Sequence, residues 1–263
     1  MSALNLSHNT NKILKLNFEG DQLDQLNTTF KYYAVGCPVA QWYLHEWAGV
    51  DPETGNPLWR YSDGTLSPVP PAADWKDSNK NKKVMGTALP AFYGGLTHTF
   101  LFKTLELTSL FSFSVGGRII NATKADLMMY TTVNAFNLHK DILKTWQMKG
   151  QETDVPALRN SSIIGNYDYT SAVTTTRYLE RGDYLRLKRL ELSWSMGPNL
   201  LKKTRVFKQF KIYVLATNLF TLTKYSGLDP EVSAFGSSVI SSGYDYMTMP
   251  QSRSFQIGTR ITF

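Results

Sequence analysis

The sequence predicts an all-β, antiparallel fold, and three observations carry that expectation. Apolar residues fall on every second position in several segments of roughly ten residues, as in strands with one apolar face. The connections between these segments alternate between short and long. Aromatic residues gather near the segment ends, at Trp42, Tyr43, Trp47, Phe92, Tyr93, Trp194 and Phe220.

In chain order, residues 4–16 and 40–47 are the weakest strand candidates. Residues 91–103 form a stronger one through Leu96, Phe100 and Phe102, interrupted by His98. Next, Leu105, Leu107, Phe111, Phe113 and Val115 alternate with Glu106, Thr108, Ser112 and Ser114. Residues 124–148 place Leu127, Met128, Tyr130, Ile142, Leu143 and Trp146 at irregular spacing, which predicts a long loop with one or two helical turns. Between Tyr184 and Met196 the alternation changes phase: Leu185 and Leu187 are odd, whereas Leu190, Leu192, Trp194 and Met196 are even. A one-residue phase change inside a strand predicts a β-bulge. Phe210, Ile212, Val214 and Ala216 then alternate with Lys211, Tyr213, Leu215 and Thr217. Finally Phe255, Ile257, Thr259, Ile261 and Phe263 share one face, opposite Ser254, Gln256, Gly258, Arg260 and Thr262.

The connections decide which kind of all-β fold this is. Two or three residues separate the strands near 91–103 and 105–116, and residues 197–206 make another short turn that opens on Gly-Pro-Asn. Residues 117–181 and 221–250 are long connections, and compact domains seldom hold structureless loops beyond about 15 residues. Alternating tight turns and long loops, with faces apolar against polar or charged, predict a transmembrane β-barrel with long extracellular loops. The aromatic clusters then fit interfacial girdles, and Phe263 ends on the periplasmic side as the last outward residue. About seven strands are expected, too few to close a large barrel, so the sheet is open with unpaired first and last strands. The rival reading is a β-sandwich with two large insertions, a secreted or soluble ligand-binding protein.

Composition sets limits. The 263 residues are 42% hydrophobic and 13% aromatic, too rich in apolar groups for wholesale disorder. A single Cys37 excludes an intrachain disulfide framework and a cysteine-based zinc cluster. No run approaches the roughly 18 uninterrupted apolar residues of a membrane helix. Residues 1–8 carry neither a basic nor an apolar leader region, so no secretory signal is expected.

Several stretches together resemble the C-terminal part of SusC/RagA-type TonB-linked outer-membrane transporters. The nearest are Arg181-Gly-Asp-Tyr-Leu-Arg-Leu-Lys-Arg-Leu-Glu-Leu-Ser-Trp194, Phe210-Lys-Ile-Tyr-Val-Leu-Ala-Thr-Asn-Leu-Phe220 with Tyr225-Ser-Gly-Leu-Asp-Pro-Glu-Val232, and Pro250-Gln-Ser-Arg-Ser-Phe-Gln-Ile-Gly258. Upstream, Ala48-Gly-Val-Asp-Pro-Glu-Thr-Gly-Asn-Pro-Leu58, Pro90-Ala-Phe-Tyr-Gly-Gly-Leu96 and Trp146 with Lys149-Gly-Gln-Glu-Thr-Asp-Val-Pro156 also fit, in family order. The resemblance implies that residues 1–263 are the C-terminal portion of such a barrel, with plug domain, TonB box and signal peptide absent from this chain. It implies import of glycans or other oligomeric nutrients across the outer membrane. Its partners would be a SusD-like surface lipoprotein acting as lid, the TonB complex through the missing N-terminal region, and outer-membrane lipid. Large transporters of this kind have about 22 strands around a plugged lumen.

Motifs for catalysis are missing: there is no nucleophile elbow, Walker loop or HExxH, and no His or Cys pair at metal spacing. No enzyme activity and no cofactor are expected. His8, His45, His98 and His139 are scattered, as ordinary polar contacts would be. Residues 51–56 (Asp-Pro-Glu-Thr-Gly-Asn) lack EF-hand spacing and predict a tight acidic turn. With 28 Lys and Arg against 21 Asp and Glu, the net charge is +7. Lys76, Lys80, Lys82 and Lys83 cluster in one presumed outer loop; Arg186, Lys188, Arg189, Lys202, Lys203, Arg205, Lys208 and Lys211 lie along two strands and their turn. Nucleic acid could use such charges with aromatic stacking. Their alternation with apolar residues instead predicts a solvated lumen or rim, or contact with lipid A phosphates, and no nucleic-acid partner.

For ligand binding, the candidates are Trp75, Tyr225, Tyr244, Asp245 and Tyr246 in the outer loops, because sugars present CH faces to aromatic rings and hydroxyls to acids. They fit loop packing or lid contacts as well. The expected assembly signal is the terminal strand with Phe255, Ile257, Ile261 and Phe263.

Overall fold

Seven strands hydrogen-bond into one antiparallel sheet in the computed structural model, which describes residues 1–16, 22–24, 30–69, 81–130, 137–159, 163–164, 167–168, 175–236, 238–239 and 241–263. They are β1 (Ser2–His8), β2 (Phe92–Phe102), β3 (Leu105–Val115), β4 (Tyr184–Ser195), β5 (Gln209–Thr217), β6 (Thr221–Thr223) and β7 (Ser254–Thr262). Lateral order is β1-β2-β3-β4-β5-β7, and β6 pairs with the N-terminal end of β4 beyond β5. Among the described residues, neither β1 nor β7 has a second partner strand, so the sheet is open at both edges. Eleven- and twelve-residue strands at about 3.3 Å per residue are long enough to cover the roughly 25 Å of an apolar membrane band at the roughly 35–45° tilt of barrel strands.

The register joins the alternating positions into continuous rows. Phe100 stands opposite Leu107, Leu107 opposite Leu192, Leu192 opposite Val214, and Val214 opposite Ile257. This face is bare: Ile257 is 80% exposed, Phe255 70% and Leu4 67%. An apolar face of this extent on five adjacent strands would drive aggregation in water, which counts against the soluble sandwich and fits lipid contact. The opposite face is polar. There Thr99, Thr108, Glu191 and Gln256 share one row, interrupted by Leu215. Lys211 Nζ lies 3.5 Å from Glu106 Oε2 and 3.9 Å from Glu191 Oε1, while Arg189 pairs with Glu191.

The predicted bulge is present in β4. Its pairing to β3 shifts between Leu187 and Arg189, leaving Lys188 as the extra residue, and the apolar set passes from odd to even positions without leaving the lipid face. The long connections, residues 9–91, 116–183 and 218–253, all leave the same end of the sheet, and residues 103–104 and 196–208 turn at the other. Gly197 precedes Pro198 at the start of a short helix, α2 (Pro198–Thr204), where only a turn was expected. Residues 124–148 contain the end of α1 (Ala122–Leu127) and a 3₁₀ turn at Lys140–Lys144, as the irregular spacing predicted. Among the described residues, no helix is long and apolar enough to cross a membrane.

One strand expectation needs correction. The segment 40–47 does form a strand, Gln41–Val50, but it belongs to a second sheet inside the first long connection, with Lys31–Ala34, Pro57–Arg60 and Lys82–Thr87 among its neighbours. The seventh wall strand is β6. Trp42 accordingly is no girdle residue: it is fully buried in the main core with Leu44, Ile120, Ala122 and Leu179, against Phe30, Met85, Ala88 and Tyr244. Alternation could not reveal this, because a strand burying one face against other loops has the same period as one facing lipid.

That core draws on all three long connections. Arg118–Asn121 pairs antiparallel with Leu179–Arg181 and parallel with Tyr244–Asp245, and Trp42 Nε1 donates to the Arg118 carbonyl at 3.0 Å. Among the described residues the wall thus contributes no buried hydrophobic cluster of its own, and the loops form a packed body on its end.

Lys31 is buried in this body, its ammonium 3.0 Å from the centroid of the Trp42 ring and 3.3 Å from the Ala40 carbonyl. Burial pushes its pKa down to about 6 from an ordinary 10.5. Between these values the unfolded chain holds a proton that the folded one has released, so loop stability rises with pH from about 6 to about 10.5 and is lowest below 6. Protease resistance of the loops is therefore expected to be greater at pH 8.5 than at pH 5.5, and Lys31→Met should flatten the difference. An unchanged pH profile in that variant would rule out Lys31 as the cause.

Candidate functional site

Of the five residues expected to meet ligand, the structure brings four into one region. Tyr225, two residues past the end of β6, is buried and donates its hydroxyl to Asp245 Oδ2 at 2.6 Å; Asp245 is buried too. Burial, with Asp245 as hydrogen-bond acceptor, raises the Tyr225 pKa well above the usual phenol value, so the hydroxyl stays protonated. Tyr244 packs on the main core and is ringed by Phe30, Phe235 and Tyr246. Tyr246 is half exposed, with its hydroxyl 3.4 Å from Asp126 Oδ2. Trp75 lies outside the described residues. These contacts make Tyr225 and Asp245 internal struts of the loop body, and leave Tyr246 as the accessible ring.

Beside this strut is a mostly apolar cavity of about 320 Å³, lined by Asn121, Thr123, Lys124, Leu127, His139, Ser226, Gly227, Leu228, Asp245, Met247, Thr248 and Met249. Local chemistry builds it in steps. Asn121 caps α1 by accepting from the Lys124 amide at 2.9 Å, and donates through Nδ2 to Glu180 and Ser226, each at 3.2 Å. Ser226 donates its amide and hydroxyl to Glu180, both at 2.6 Å. Gly227 follows because the Tyr225 ring covers it: a Cβ there would stand 2.4 Å from Tyr225 Cε1. Behind the lining residue Lys124, Asp141 binds Lys144 at 2.7 Å and Lys124 at 2.9 Å, and these two hydrogen bonds hold its carboxyl well below the usual carboxylate range. Burial, opposed by Asp141 and helped by the neighbouring lysines, lowers the His139 pKa, which keeps it neutral near pH 7.

A second cluster, unforeseen in the sequence, pins the third loop to the wall. Arg186 of β4 projects from the polar face, where its guanidinium meets Asp229 at 2.5 Å, Glu231 at 2.6 Å and Thr221 Oγ1 at 2.8 Å. Lys188, the bulge residue, reaches Glu231 at 2.8 Å, and the Tyr184 hydroxyl donates to Glu231 at 2.8 Å. Asp229 also accepts amides from Glu231 at 2.9 Å and Gln251 at 3.0 Å. Burial alone would raise the Asp229 pKa; Arg186 and the two amides outweigh it and hold the carboxyl below its ordinary value. Arg186 and Asp229 are each almost fully buried, so the expectation of a solvated charged face fails at Arg186. The signal that could have found the pair is Asp229-Pro-Glu231 itself, two acids held apart by a proline in a chain with an unmatched basic strand.

The remaining motifs dock pairwise. In residues 51–56, Asp51 accepts from the Glu53 amide and the Thr54 hydroxyl, making the tight acidic turn that was expected. Trp146 lies over Gly55, whose backbone is left-handed (φ +71°) and whose absent Cβ would sit 2.5 Å from the indole. The Trp146 Nε1 donates to Pro52 at 3.0 Å and Lys149 pairs with Glu53 at 2.7 Å. Of the histidines, His8 contacts the Ala91 carbonyl at 2.6 Å and His98 the Ser2 hydroxyl at 2.8 Å, while His45 is buried in the loop body. Among the described residues, no group of three or more His, Cys, Asp or Glu is placed to hold a metal ion. The terminal residues Phe255, Ile257, Ile261 and Phe263 all project from the lipid face.

Comparison with known proteins agrees with this architecture. No family model matches the sequence. The chain is 28% identical to TonB-dependent receptor P3 of Formosa agariphila over 100% of this chain and 26% of that protein. It is 26% identical to TonB-dependent receptor SusC of Bacteroides thetaiotaomicron over 99% of this chain and 24% of that protein. A solved structure of the RagAB peptide transporter superposes on 100% of this chain and 27% of its own with a TM-score of 0.80 at 26% identity. The RagAB importer in its closed-closed state gives 0.77. The chain spans about a quarter of the length of the curated relatives it matches. These relatives are outer-membrane receptors and transporters rather than enzymes, and over its whole length this chain is homologous to a segment of the SusC and RagA TonB-dependent receptors.

Proposed function

We propose that this chain is wall and outer-loop platform of an outer-membrane TonB-dependent importer of oligomeric nutrients, glycans or peptides, working under a SusD-like surface lipoprotein. The observation that carries the reading is the superposition of the whole chain on the RagAB transporter at a TM-score of 0.80, with three long loops sharing one packed core at one end of an open sheet. In this reading residues 1–263 form the C-terminal portion of a larger barrel whose plug and TonB box lie in other sequence. The loop body supplies Tyr246 and the apolar cavity at the outer mouth; the polar face with Arg189, Glu191 and Lys211 lines the lumen.

The experiment is growth and uptake by cells carrying the complete polypeptide or a deletion of it, with labelled oligosaccharides and peptides offered separately. Loss of uptake of one class identifies the substrate; uptake equal to that of the parent for both classes would contradict the importer reading. Barrel insertion is checked apart from transport. Val214→Arg, in the middle of the apolar row, should cost roughly 2–4 kcal/mol of membrane stability. It should weaken the heat-modifiable band in outer-membrane fractions, and a band as strong as wild type would show that this face does not meet lipid.

A further inference from the structure

The short-turn end of the wall carries a concentration of positive charge that the transport reading does not use. Lys103 sits in the β2–β3 turn, and Lys202, Lys203, Arg205 and Lys208 follow one another in the connection containing α2. The two turns are adjacent, since the Ser195 amide donates to the Thr104 carbonyl at 2.8 Å, and the Lys208 amide donates to Thr262 at 2.8 Å. All five side chains are exposed, residues 196–208 contain no acid, and among the described residues none of the five has an acidic partner. The nearest strand acids, Glu106 and Glu191, are engaged by Lys211 and Arg189.

A row of rings runs directly beside these cations on the lipid face. Trp194 meets Phe210 at 6.5 Å, Phe210 meets Phe207 at 5.9 Å, and Phe207 meets Phe263 at 5.6 Å between centroids. Leu200 and Val206, within the basic connection itself, are 55% and 56% exposed. Aromatic rings in such a belt sit at headgroup depth, which sets the adjacent ammonium and guanidinium groups at the level of lipid phosphates. Unpaired cations there gain most from a surface with excess negative charge.

We propose that this end is a binding surface for anionic glycerophospholipid headgroups of the membrane leaflet it faces, with the aromatic row fixing depth and Lys202, Lys203, Arg205 and Lys208 selecting charge. The proposal rests on the reading of the sheet as a membrane-embedded wall. The test uses the complete polypeptide in vesicles of phosphatidylcholine, with brominated phosphatidylcholine or brominated phosphatidylglycerol added in turn. Trp194 fluorescence is isolated as the difference between wild type and Trp194→Phe. Phosphatidylglycerol is expected to quench with roughly fivefold higher apparent affinity than phosphatidylcholine, and the preference should collapse at high salt and in the Lys202→Gln, Lys203→Gln, Lys208→Gln variant. That variant should keep its quenching by brominated phosphatidylcholine, which shows that it remains inserted. Equal quenching by both lipids overturns the headgroup site while the membrane wall stands. Quenching by neither overturns both.

Discussion

Arg186→Met is expected to release the third long loop from the wall and to be among the most damaging single substitutions in the chain. It strands Asp229 and Glu231, buried or nearly so, without their main counter-charge. Removing one partner of a buried pair typically costs about 3–5 kcal/mol, most of it the penalty of leaving the other charge unpaired. Hydrogen exchange reads this directly, because the Glu231 and Gln251 amides are protected by Asp229 in the intact loop. Their exchange should accelerate by two orders of magnitude or more, with wall amides of β3 little changed. Adding Asp229→Asn and Glu231→Gln to Arg186→Met should restore much of the protection, since neutral side chains keep hydrogen bonds without a stranded charge. Unchanged exchange in the single variant would show that the cluster does not hold the loop. Acid has a related effect. The Asp229 pKa is depressed, so its contribution is complete above the ordinary value of 3.8 and is lost only as pH falls through the lower folded value.

Trp42→Ala should have a comparable effect on a different part of the molecule. The indole is fully buried where the three long connections meet, and its loss leaves a cavity, an unpaired Arg118 carbonyl and a buried Lys31 amino group without its ring. Large-to-small changes of a buried tryptophan cost about 3–5 kcal/mol. Because the wall contributes almost nothing to this core, the loops should become sensitive to external protease while the heat-modifiable barrel band persists. Loss of the band together with the loops would show that wall and loop body fold as one cooperative unit.

The two substitutions mark how far the sequence could be read. The wall was legible: alternation at β2, β3, β5 and β7 fixes which residues face lipid, and the phase change in β4 predicted a bulge between Leu187 and Leu190, which the pairing register places at Lys188. The order of short and long connections put all the loops at one end. The site was legible only as chemistry. Tyr225 and Asp245 were picked out as a ring and an acid suited to sugars, yet they are buried on each other at 2.6 Å. Tyr246, chosen on the same grounds, is half exposed. No local pattern separates these residues, because burial of a loop side chain depends on what the other loops bring to it.

The sequence by itself determined an open, antiparallel barrel wall with one greasy face, since side-chain period and connection length are local properties of the chain. Only the tertiary structure decided that Gln41–Val50 leaves the wall for the loops, that Arg186 is closed over by Asp229 and Glu231, and that the three loops share a core around Trp42. The last two join residues far apart in the chain, 43 positions between Arg186 and Asp229 and 76 between Trp42 and Arg118. Contacts at such separations are selected by which long connections can pack together, and that is set by shape and buried charge across the whole loop body rather than by any period along the chain.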